Sequence, residues 1–482
     1  MRNYSKRNKT SGNKRQRIFF LIYCLIILIN PFPLGSNRTW AWSFEAMIAM
    51  GLLLLMVTCS LISDQCFSWH RIKKMKKELL LIGLWFFVNI LYLIPLPLSL
   101  LSIISPTVAS AYANIDLTYG YLSLDVYASY QTLMLSLYYF TVFVLGVILI
   151  NSRRRIKFVM SLFLFLGVFE AIYGMYLVSI AQTGTLVQIV SVDVINASGT
   201  FINRNHLVAF LSMCFIIGLA LRLILSRNNS ELNHLDVKVK IVRFIGQPTR
   251  LLDFSLFLIF AGIWNTHSRA GLASFILALL FFYLFIFLGK KMKSINIKAI
   301  ITGFVLLMML LIVVADDVGY LLNSLGQNSE DSIGHVLNSA QGRLLAFNQF
   351  IDNYHRYWFS GVGPGAYQVF FVNHRSMEQL AYFDHAHNDY IEFVIEYGLF
   401  SIILLVLLVL YMYRMFVFVF KTNSSFYKII GISVISCLIY MLLHGSMDFN
   451  ARIPANLVTI IVVISVIYGK IIMSDIKVIK KY

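Results

Sequence analysis

A short polar stretch, Asp384-His385-Ala386-His387-Asn388-Asp389, contains residue types suited to proton transfer. It directly precedes an apolar run in which Glu392 and Glu396 follow at helical spacing. An imidazole with its ordinary pKa of about 6.5 can accept a hydroxyl proton near neutral pH. Carboxylates on the same helix face could orient an arginine or raise the basicity of a histidine. We expect one histidine here to act as a general base, while metal ligation by both histidines and simple solvation remain open.

Three arginines occur where polar loops meet apolar segments. Arg204 follows Gly199 to Asn203, and Arg269 follows Thr266 to Ser268, each at the expected start of a helix. A guanidinium beside the free backbone N–H groups of a helix start can bind a phosphate group. We expect Arg204, Arg269 and the more distant Arg343 to bind an anion, with anchoring to lipid headgroups as the alternative for Arg204.

The segment after Arg343 has apolar residues every three or four positions as far as Trp358. This spacing predicts a helix that lies at the membrane interface. The cluster from Gly361 to Gly365 ends that helix but lacks the Gly-Lys-Ser/Thr ending of a phosphate-binding P-loop. We therefore predict an ordinary turn there.

The composition of the 482 residues is that of a membrane protein, with 59% hydrophobic and 13% charged residues. Apolar runs long enough to cross about 30 Å of hydrocarbon recur along the chain. They occupy 18–34, 43–63, 79–103, 131–151, 156–181, 206–226, 251–265, 270–288, 298–315, 390–412, 427–445 and 454–473. We expect an all-α polytopic protein: a bundle of nine helices over 1–315, a partly helical outer loop over 316–389 that carries part of the active site, and helices 10 to 12 with a tail over 390–482.

Lysine and arginine set the expected orientation, because they concentrate in loops on the cytoplasmic side. The basic loops at 71–77, 153–157, 227–250 and 290–298 all fall on the same side as both termini. We expect both termini to be cytoplasmic and the first span to be retained. The net charge of +18 then reflects membrane orientation and not nucleic-acid binding. The three arginines lie on the outer side against this bias, which favours an anionic ligand.

Taken together, these motifs resemble the O-antigen ligase and polymerase superfamily, membrane glycosyltransferases that use polyprenyl-diphosphate-linked glycans outside the cytoplasmic membrane. The resemblance covers roughly Gly199 to Pro454. It rests on Gly199 to His206, Ser268 to Gly271, Arg343 through Gly365, His385 to Asp389 with Glu396 to Gly398, and His444 to Phe449 with Pro454. Ser401 departs from the ligase pattern, so the subtype stays open.

The resemblance implies that His387 is the essential histidine and that Arg269 and Arg343 hold the diphosphate. Arg204 is added on its position and charge, and His385, Asn388, Asp389 and Glu396 are expected to support the site. The implied reaction transfers an oligosaccharide en bloc from undecaprenyl diphosphate to an acceptor hydroxyl on the periplasmic face of a bacterial inner membrane, without a metal or another cofactor.

The acceptor is left open by the sequence. Lipid A core would make the protein a ligase of lipopolysaccharide biosynthesis, and a lipid-linked repeat would make it an O-antigen or exopolysaccharide polymerase. A serine or threonine side chain would make it a protein O-oligosaccharyltransferase. A transporter or flippase for the same lipid-linked sugars is the alternative from another class, since Glu170 near mid-membrane is either protonated, paired or functional.

Overall fold

The computed structural model describes residues 2–62, 69–182, 196–226, 248–288, 347–375 and 383–479. The helices are α1 (Arg2–Ile29), α2 (Thr39–Ile62), α3 (Trp69–Lys74), α4 (Lys76–Leu91), α5 (Leu98–Ile104), α6 (Pro106–Ala113), α7 (Val126–Leu149), α8 (Arg153–Gln182), α9 (Arg204–Ser226), α10 (Pro248–Asn265), α11 (Arg269–Leu288), α12 (347–357), α13 (Tyr367–His374), α14 (Asp389–Tyr397), α15 (Phe400–Lys421), α16 (Ser425–Gly445) and α17 (Pro454–Ile479). Two short strands, β1 (Leu96–Pro97) and β2 (Tyr119–Gly120), pair antiparallel.

Eight helices of the described residues are long and apolar enough to cross a membrane: α2, α7, α8, α9, α11, α15, α16 and α17. The expected all-α, multi-pass membrane architecture is therefore confirmed. The expected total of twelve spans is not confirmed, and one of the twelve, 298–315, lies outside the described residues. The boundary expected at 315 between bundle and outer loop also lies outside them.

The expected span 79–103 is shorter in the structure, because α4 ends at Leu91. Pro95 and Pro97 follow after the next turn, and proline can neither donate the helical hydrogen bond nor let the preceding residue stay helical easily. The chain instead forms β1 and the separate helix α5.

The expected span 390–412 is divided at Gly398. Helix α14 ends at Tyr397 and α15 begins at Phe400, with Gly398 at a positive φ of 51° between them. A side chain at Gly398 would press against the backbone of Gly361 and Phe359, so only glycine fits this crossing. The polar residues of α14 therefore belong to a short helix outside the membrane-spanning α15.

Helix α9 forms the centre of the bundle and packs against α8, α10, α11, α16 and α17. Apart from Ser212, its residues are apolar on every side from Leu207 to Leu221, as expected for a helix with neighbours all round. The N-terminal ends of α9 and α11 are thereby held beside the end of α16.

A second apolar core lies beside α14, and it is built from α4 to α6, the segment 347–375 and α14 itself. Its fully buried aromatic residues are Tyr92, Tyr367, Phe370, Phe371 and Tyr397. The Tyr92 hydroxyl donates to the carbonyl of Ser360 over 2.5 Å. The turn predicted at 361–365 is confirmed, and its Val362 N–H donates to the carbonyl of Ile395 over 2.9 Å. This core fixes α14 and the polar stretch before it.

Candidate active site

A buried carboxylate, Asp448, stands at the centre of the candidate site. It follows the end of α16 and is fully buried. Its Oδ1 atom lies 3.3 Å from Nδ1 of His387 and 4.0 Å from Nε2 of His206. Burial acts to raise the pKa of Asp448. The hydrogen bond with His387 and the nearby imidazoles have the larger, opposite effect, so this pKa lies below its ordinary range. Asp448 therefore carries a negative charge beside the two histidines.

His387 lies in the polar stretch before α14, in the left-handed backbone region with φ at 48°. Its side chain is one quarter exposed, whereas that of Asp448 is buried. With a proton on Nδ1, the ring donates to Asp448 and keeps a lone pair on Nε2. That is the tautomer a general base needs, because the accepting nitrogen is then the one not bound to the protein.

The Phe449 ring contacts all three histidines of this site. Its centroid lies 4.2 Å from the stacked ring of His385, 5.1 Å from that of His387 and 4.7 Å from that of His206. This contact fixes the ring planes and covers one side of the site with an apolar surface. Fixed ring planes keep the hydrogen bonds of His385 and His387 directed at different carboxylates.

His385 belongs to a buried ion-pair network and not to the Asp448 cluster. Its Nδ1 lies 2.8 Å from Oε1 of Glu392, whose other oxygen accepts from the Ala386 N–H over 2.9 Å. Nε of Arg452 lies 3.2 Å from Oε1 of Glu392, and Nη2 of Arg452 lies 2.6 Å from Oε2 of Glu396. Glu392 therefore does both things that the sequence suggested, since it pairs with a histidine and orients an arginine.

The pKa shifts in this network follow from the charges. Burial acts to raise the pKa of Glu392, but His385 and Arg452 together lower it to about 2. Burial acts to lower the pKa of His385, and the Glu392 carboxylate reverses this and raises it. The pKa of Glu396 is raised by burial, which Arg452 only partly offsets. Arg452 is held by protein carboxylates, so it is not the arginine we assign to an anionic ligand.

Asn388 fixes the start of α14. Its side-chain Oδ1 accepts from the N–H groups of Tyr390 and Ile391 over 3.0 and 3.1 Å, which caps the helix. Its Nδ2 donates to the carbonyl of Ser446 over 2.9 Å. The residue after His387 thus ties the polar stretch to the end of α16, near Asp448.

Asp389 packs against the same junction. Its Oδ2 accepts from the Ala451 N–H over 3.1 Å, and a side chain at Gly445 would crowd this oxygen. The Oδ1 atom is buried and has no hydrogen-bond partner within the described part of the chain. Burial raises the pKa of Asp389 to about 8, so this carboxyl is neutral at pH 7.

Of the three arginines predicted to bind an anion, Arg204 and Arg269 lie among the described residues, at neighbouring helix starts. Arg204 begins α9 and Arg269 begins α11. The Ser268 hydroxyl donates to Oδ1 of Asn205 over 2.7 Å, which joins the two starts directly. The Asn203 side chain accepts from the Asn205 N–H over 2.8 Å. Arg204 is half-buried and Arg269 is exposed.

These helix starts lie beside the histidine site. His206 is two residues after Arg204, and it is the residue 4.0 Å from Asp448. Asn456, in the first turn of α17, donates to the carbonyl of His206 over 3.2 Å and holds it there. The structure thus brings Arg204, Arg269 and His387 to one region. Arg343 lies outside the described residues.

A metal site in the polar stretch was the open alternative. The imidazoles of His385 and His387 face different carboxylates and do not converge on one point. Among the described residues, no group of three or more His, Cys, Asp or Glu side chains is arranged to hold a metal ion.

The fold and the site define a multi-pass membrane protein with a histidine–carboxylate pair beside arginine-bearing helix starts. Residues 254–406 match the family model described as O-antigen ligase, which confirms the resemblance to the O-antigen ligase and polymerase superfamily. The matched range includes Arg269, Arg343 and His387, but not Arg204 or Asp448. No curated protein matches the chain.

Proposed function

We propose that this protein is a membrane glycosyltransferase of the O-antigen ligase or polymerase type. It transfers an oligosaccharide en bloc from undecaprenyl diphosphate to an acceptor hydroxyl. The observation that carries the proposal is the His387–Asp448 pair, 3.3 Å apart, beside the helix starts of Arg204 and Arg269. The family match over 254–406 supports the same class of reaction.

His387 acts as the general base. The acceptor oxygen attacks the anomeric carbon of the donor sugar, and its proton passes to Nε2 of His387. Asp448 accepts from Nδ1, so it keeps the ring in the required tautomer and stabilises the imidazolium that forms. His387 then releases the proton to water.

The arginines act on the other product. As the new bond forms, the bond between the anomeric carbon and the diphosphate oxygen breaks, and its electron pair leaves with the diphosphate. Arg204 and Arg269, with Arg343 as the resemblance implies, neutralise this charge through charge-assisted hydrogen bonds. The backbone N–H groups at the starts of α9 and α11 add to the positive field. Because the guanidinium groups supply the positive charge, the reaction as proposed requires no metal.

We place the site on the periplasmic face of a bacterial inner membrane. The basic loops 71–77 and 153–157, on the side opposite the starts of α9 and α11, favour a cytoplasmic position for that opposite side. The acceptor is a glycan, lipid A core or a protein hydroxyl, and the genes beside the coding gene would separate these. The division into a bundle over 1–315, an outer loop over 316–389 and a last part over 390–482 is part of this proposal.

The test uses the purified full-length protein in lipid nanodiscs with a radiolabelled undecaprenyl-diphosphate glycan and candidate acceptors. We expect labelled product from the wild type and a loss of about 10²-fold or more in His387→Ala, the usual contribution of a general base. Asp352→Asn changes an exposed carboxylate outside the site and should retain wild-type transfer.

A parallel experiment with sealed vesicles follows movement of the same donor across the bilayer. Translocation without transfer by the wild-type protein would replace this proposal with the transporter alternative. Transfer at the wild-type rate by His387→Ala would keep the reaction class but remove His387 as its base.

A further inference from the structure

Glu170 is a fully buried carboxyl group that the proposed reaction does not use. It lies in α8, 17 residues after Arg153. Both of its oxygens meet Thr200: Oε2 accepts from the Thr200 N–H over 2.9 Å, and Oε1 lies 2.8 Å from the Thr200 hydroxyl. The same hydroxyl lies 2.8 Å from the carbonyl oxygen of Pro31. Three segments of the chain therefore meet at one hydroxyl group.

The contacts around the Thr200 hydroxyl favour a neutral Glu170. The Thr200 hydroxyl has one proton, and the Pro31 carbonyl can only accept. If that proton goes to Pro31, the contact between the hydroxyl and Oε1 of Glu170 requires a proton on Oε1. A neutral carboxyl places a proton in all three contacts at once, whereas a carboxylate leaves one of the two 2.8 Å oxygen–oxygen contacts of the hydroxyl without a proton. The Pro31 carbonyl also accepts from the Gly35 N–H over 2.9 Å, so the contact left without a proton, and not an unsatisfied acceptor, favours the neutral acid. A neutral group is also far less costly to bury in a membrane-spanning helix.

Thr200 lies in the short segment that leads to Arg204. Gly199 is in the left-handed region at φ 59°, and a side chain there would collide with the Glu170 carboxyl. The Ala197 N–H donates to the carbonyl of Asn265 at the end of α10 over 3.0 Å. The segment 196–203 is thus attached to α8, to the end of α1 and to the end of α10 just before Arg204 begins α9.

We propose that Glu170 is a neutral carboxylic acid whose hydrogen bonds to Thr200 hold the segment 196–203 and so position Arg204 for the diphosphate. Glu170 does not touch the substrate, so it is a positioning residue. Its effect on the donor rests on the proposed function, but its protonation does not.

Protonation is tested first, without any substrate. Infrared difference spectra between wild type and Glu170→Gln, recorded at pH 7 in H₂O and D₂O, identify the carboxyl by what the substitution removes. We expect the lost signal to be the C=O stretch of a protonated carboxyl group. Loss of the symmetric and antisymmetric carboxylate bands instead would overturn the neutral state, whether or not the protein transfers glycans.

Positioning is tested by steady-state kinetics with the labelled undecaprenyl-diphosphate donor. The amide of Glu170→Gln can make the same three hydrogen bonds, so this variant should keep the donor KM within about twofold. Glu170→Ala and Thr200→Val should raise the donor KM by about 10-fold or more with a smaller change in acceptor KM, since misplacing a binding group by about 1 Å can cost 10²-fold.

Thr141→Val is the matched control for Thr200→Val. Thr141 is also buried, but its hydroxyl donates to the Leu137 carbonyl in its own helix over 2.8 Å. It should leave the donor KM unchanged. If Glu170→Gln loses donor binding as Glu170→Ala does, or if Thr200→Val matches Thr141→Val, the positioning role is wrong. An inactive wild type would count against the proposed function alone, because the infrared result still decides the state of Glu170.

Discussion

The Nδ1 atom of His387 lies 3.3 Å from the Oδ1 atom of Asp448, although 61 residues separate the two in sequence. The contact joins the polar stretch before α14 to the junction between α16 and α17. Asp448 is buried and charged, so it favours one tautomer of the imidazole and orients the free nitrogen away from itself. A histidine held in this way can take a proton from an acceptor without moving.

The first prediction concerns this pair. Asp448→Asn keeps the shape of the side chain but can donate to Nδ1, which favours the wrong tautomer of His387. We expect the transfer rate to fall by about 10²- to 10⁴-fold, as in other histidine–carboxylate pairs that lose the charge. Single-turnover transfer with saturating labelled donor measures this directly.

The double variant provides the control. If the two residues act as a unit, His387→Ala combined with Asp448→Asn should be about as slow as His387→Ala alone. Additive losses would mean that Asp448 acts elsewhere, for example through His206, whose Nε2 lies 4.0 Å from it. His206→Gln would then share the effect of Asp448→Asn.

A second prediction concerns Arg452, which lies between two nearly fully buried glutamates, Glu392 and Glu396. Arg452→Leu leaves both carboxyl groups without their arginine. Removing one partner of a buried ion pair costs about 3 to 5 kcal/mol. We expect a clear fall in the unfolding temperature of the protein in detergent, followed by intrinsic fluorescence.

Matched variants separate charge from packing at this site. Arg452→Lys should recover only part of the loss, because an ammonium group cannot bridge two carboxyl groups in the planar geometry of a guanidinium. Glu396→Gln added to Arg452→Leu should recover stability, since it removes one uncompensated carboxyl. If Arg452→Leu is as stable as the wild type, the network does not hold α14.

The third prediction uses the raised pKa of Asp389, which is about 8. In the unfolded chain an aspartate has a pKa near 3.9. Between about pH 4 and pH 8 the folded protein therefore keeps a proton on Asp389 that the unfolded chain has lost. The stability that Asp389 contributes is therefore complete below about pH 4 and is lost as the pH rises to about 8. Within that range a single bound proton changes the free energy of unfolding by about 1.4 kcal/mol per pH unit.

Asp389→Asn imitates the neutral acid and removes this dependence. We expect the stability of the wild type to fall relative to that of Asp389→Asn from pH 5 to 8 and then to stay level up to pH 9. Chemical unfolding of both proteins in the same detergent at four pH values measures the difference. A wild type that gains stability relative to Asp389→Asn as the pH rises would contradict the raised pKa, because it would mean that folding stabilises the ionised form.

Sequence spacing located the parts of the site that lie within one segment. The stretch 384–389 and the helix starts at Arg204 and Arg269 are where the local patterns predicted them, because capping and helix starts depend on neighbouring residues. Asp448 was missed as a site residue. Its role depends on how α14 packs against α16, and an aspartate after an apolar span carries no local sign of such a contact. Its one available signal was its place in the His444 to Phe449 motif.

The break at Gly398 was missed for a similar reason. A single glycine within an apolar run looks like a helix interior, and only the close backbone of Gly361 explains why the chain turns there. Glu170 shows the same limit: its position in a span was evident, but Thr200 and Pro31 became its neighbours only through folding.

The last prediction distinguishes arginines that bind the donor from those that only lie near the site. Arg204→Ala and Arg269→Ala should each raise the donor KM by about 10- to 100-fold, since a hydrogen bond to a charged group contributes about 1.5 to 3 kcal/mol. Lysine should restore only part of the affinity, because it contacts a diphosphate at one point where arginine binds in two.

Arg356→Ala is the control, since Arg356 is exposed in the segment 347–357. The donor KM is measured with the labelled undecaprenyl-diphosphate glycan at two salt concentrations, where loss of a bound charge should also flatten the salt dependence. Equal KM values for Arg356→Ala and Arg204→Ala would mean that Arg204 does not bind the donor and would assign it to the lipid headgroups instead.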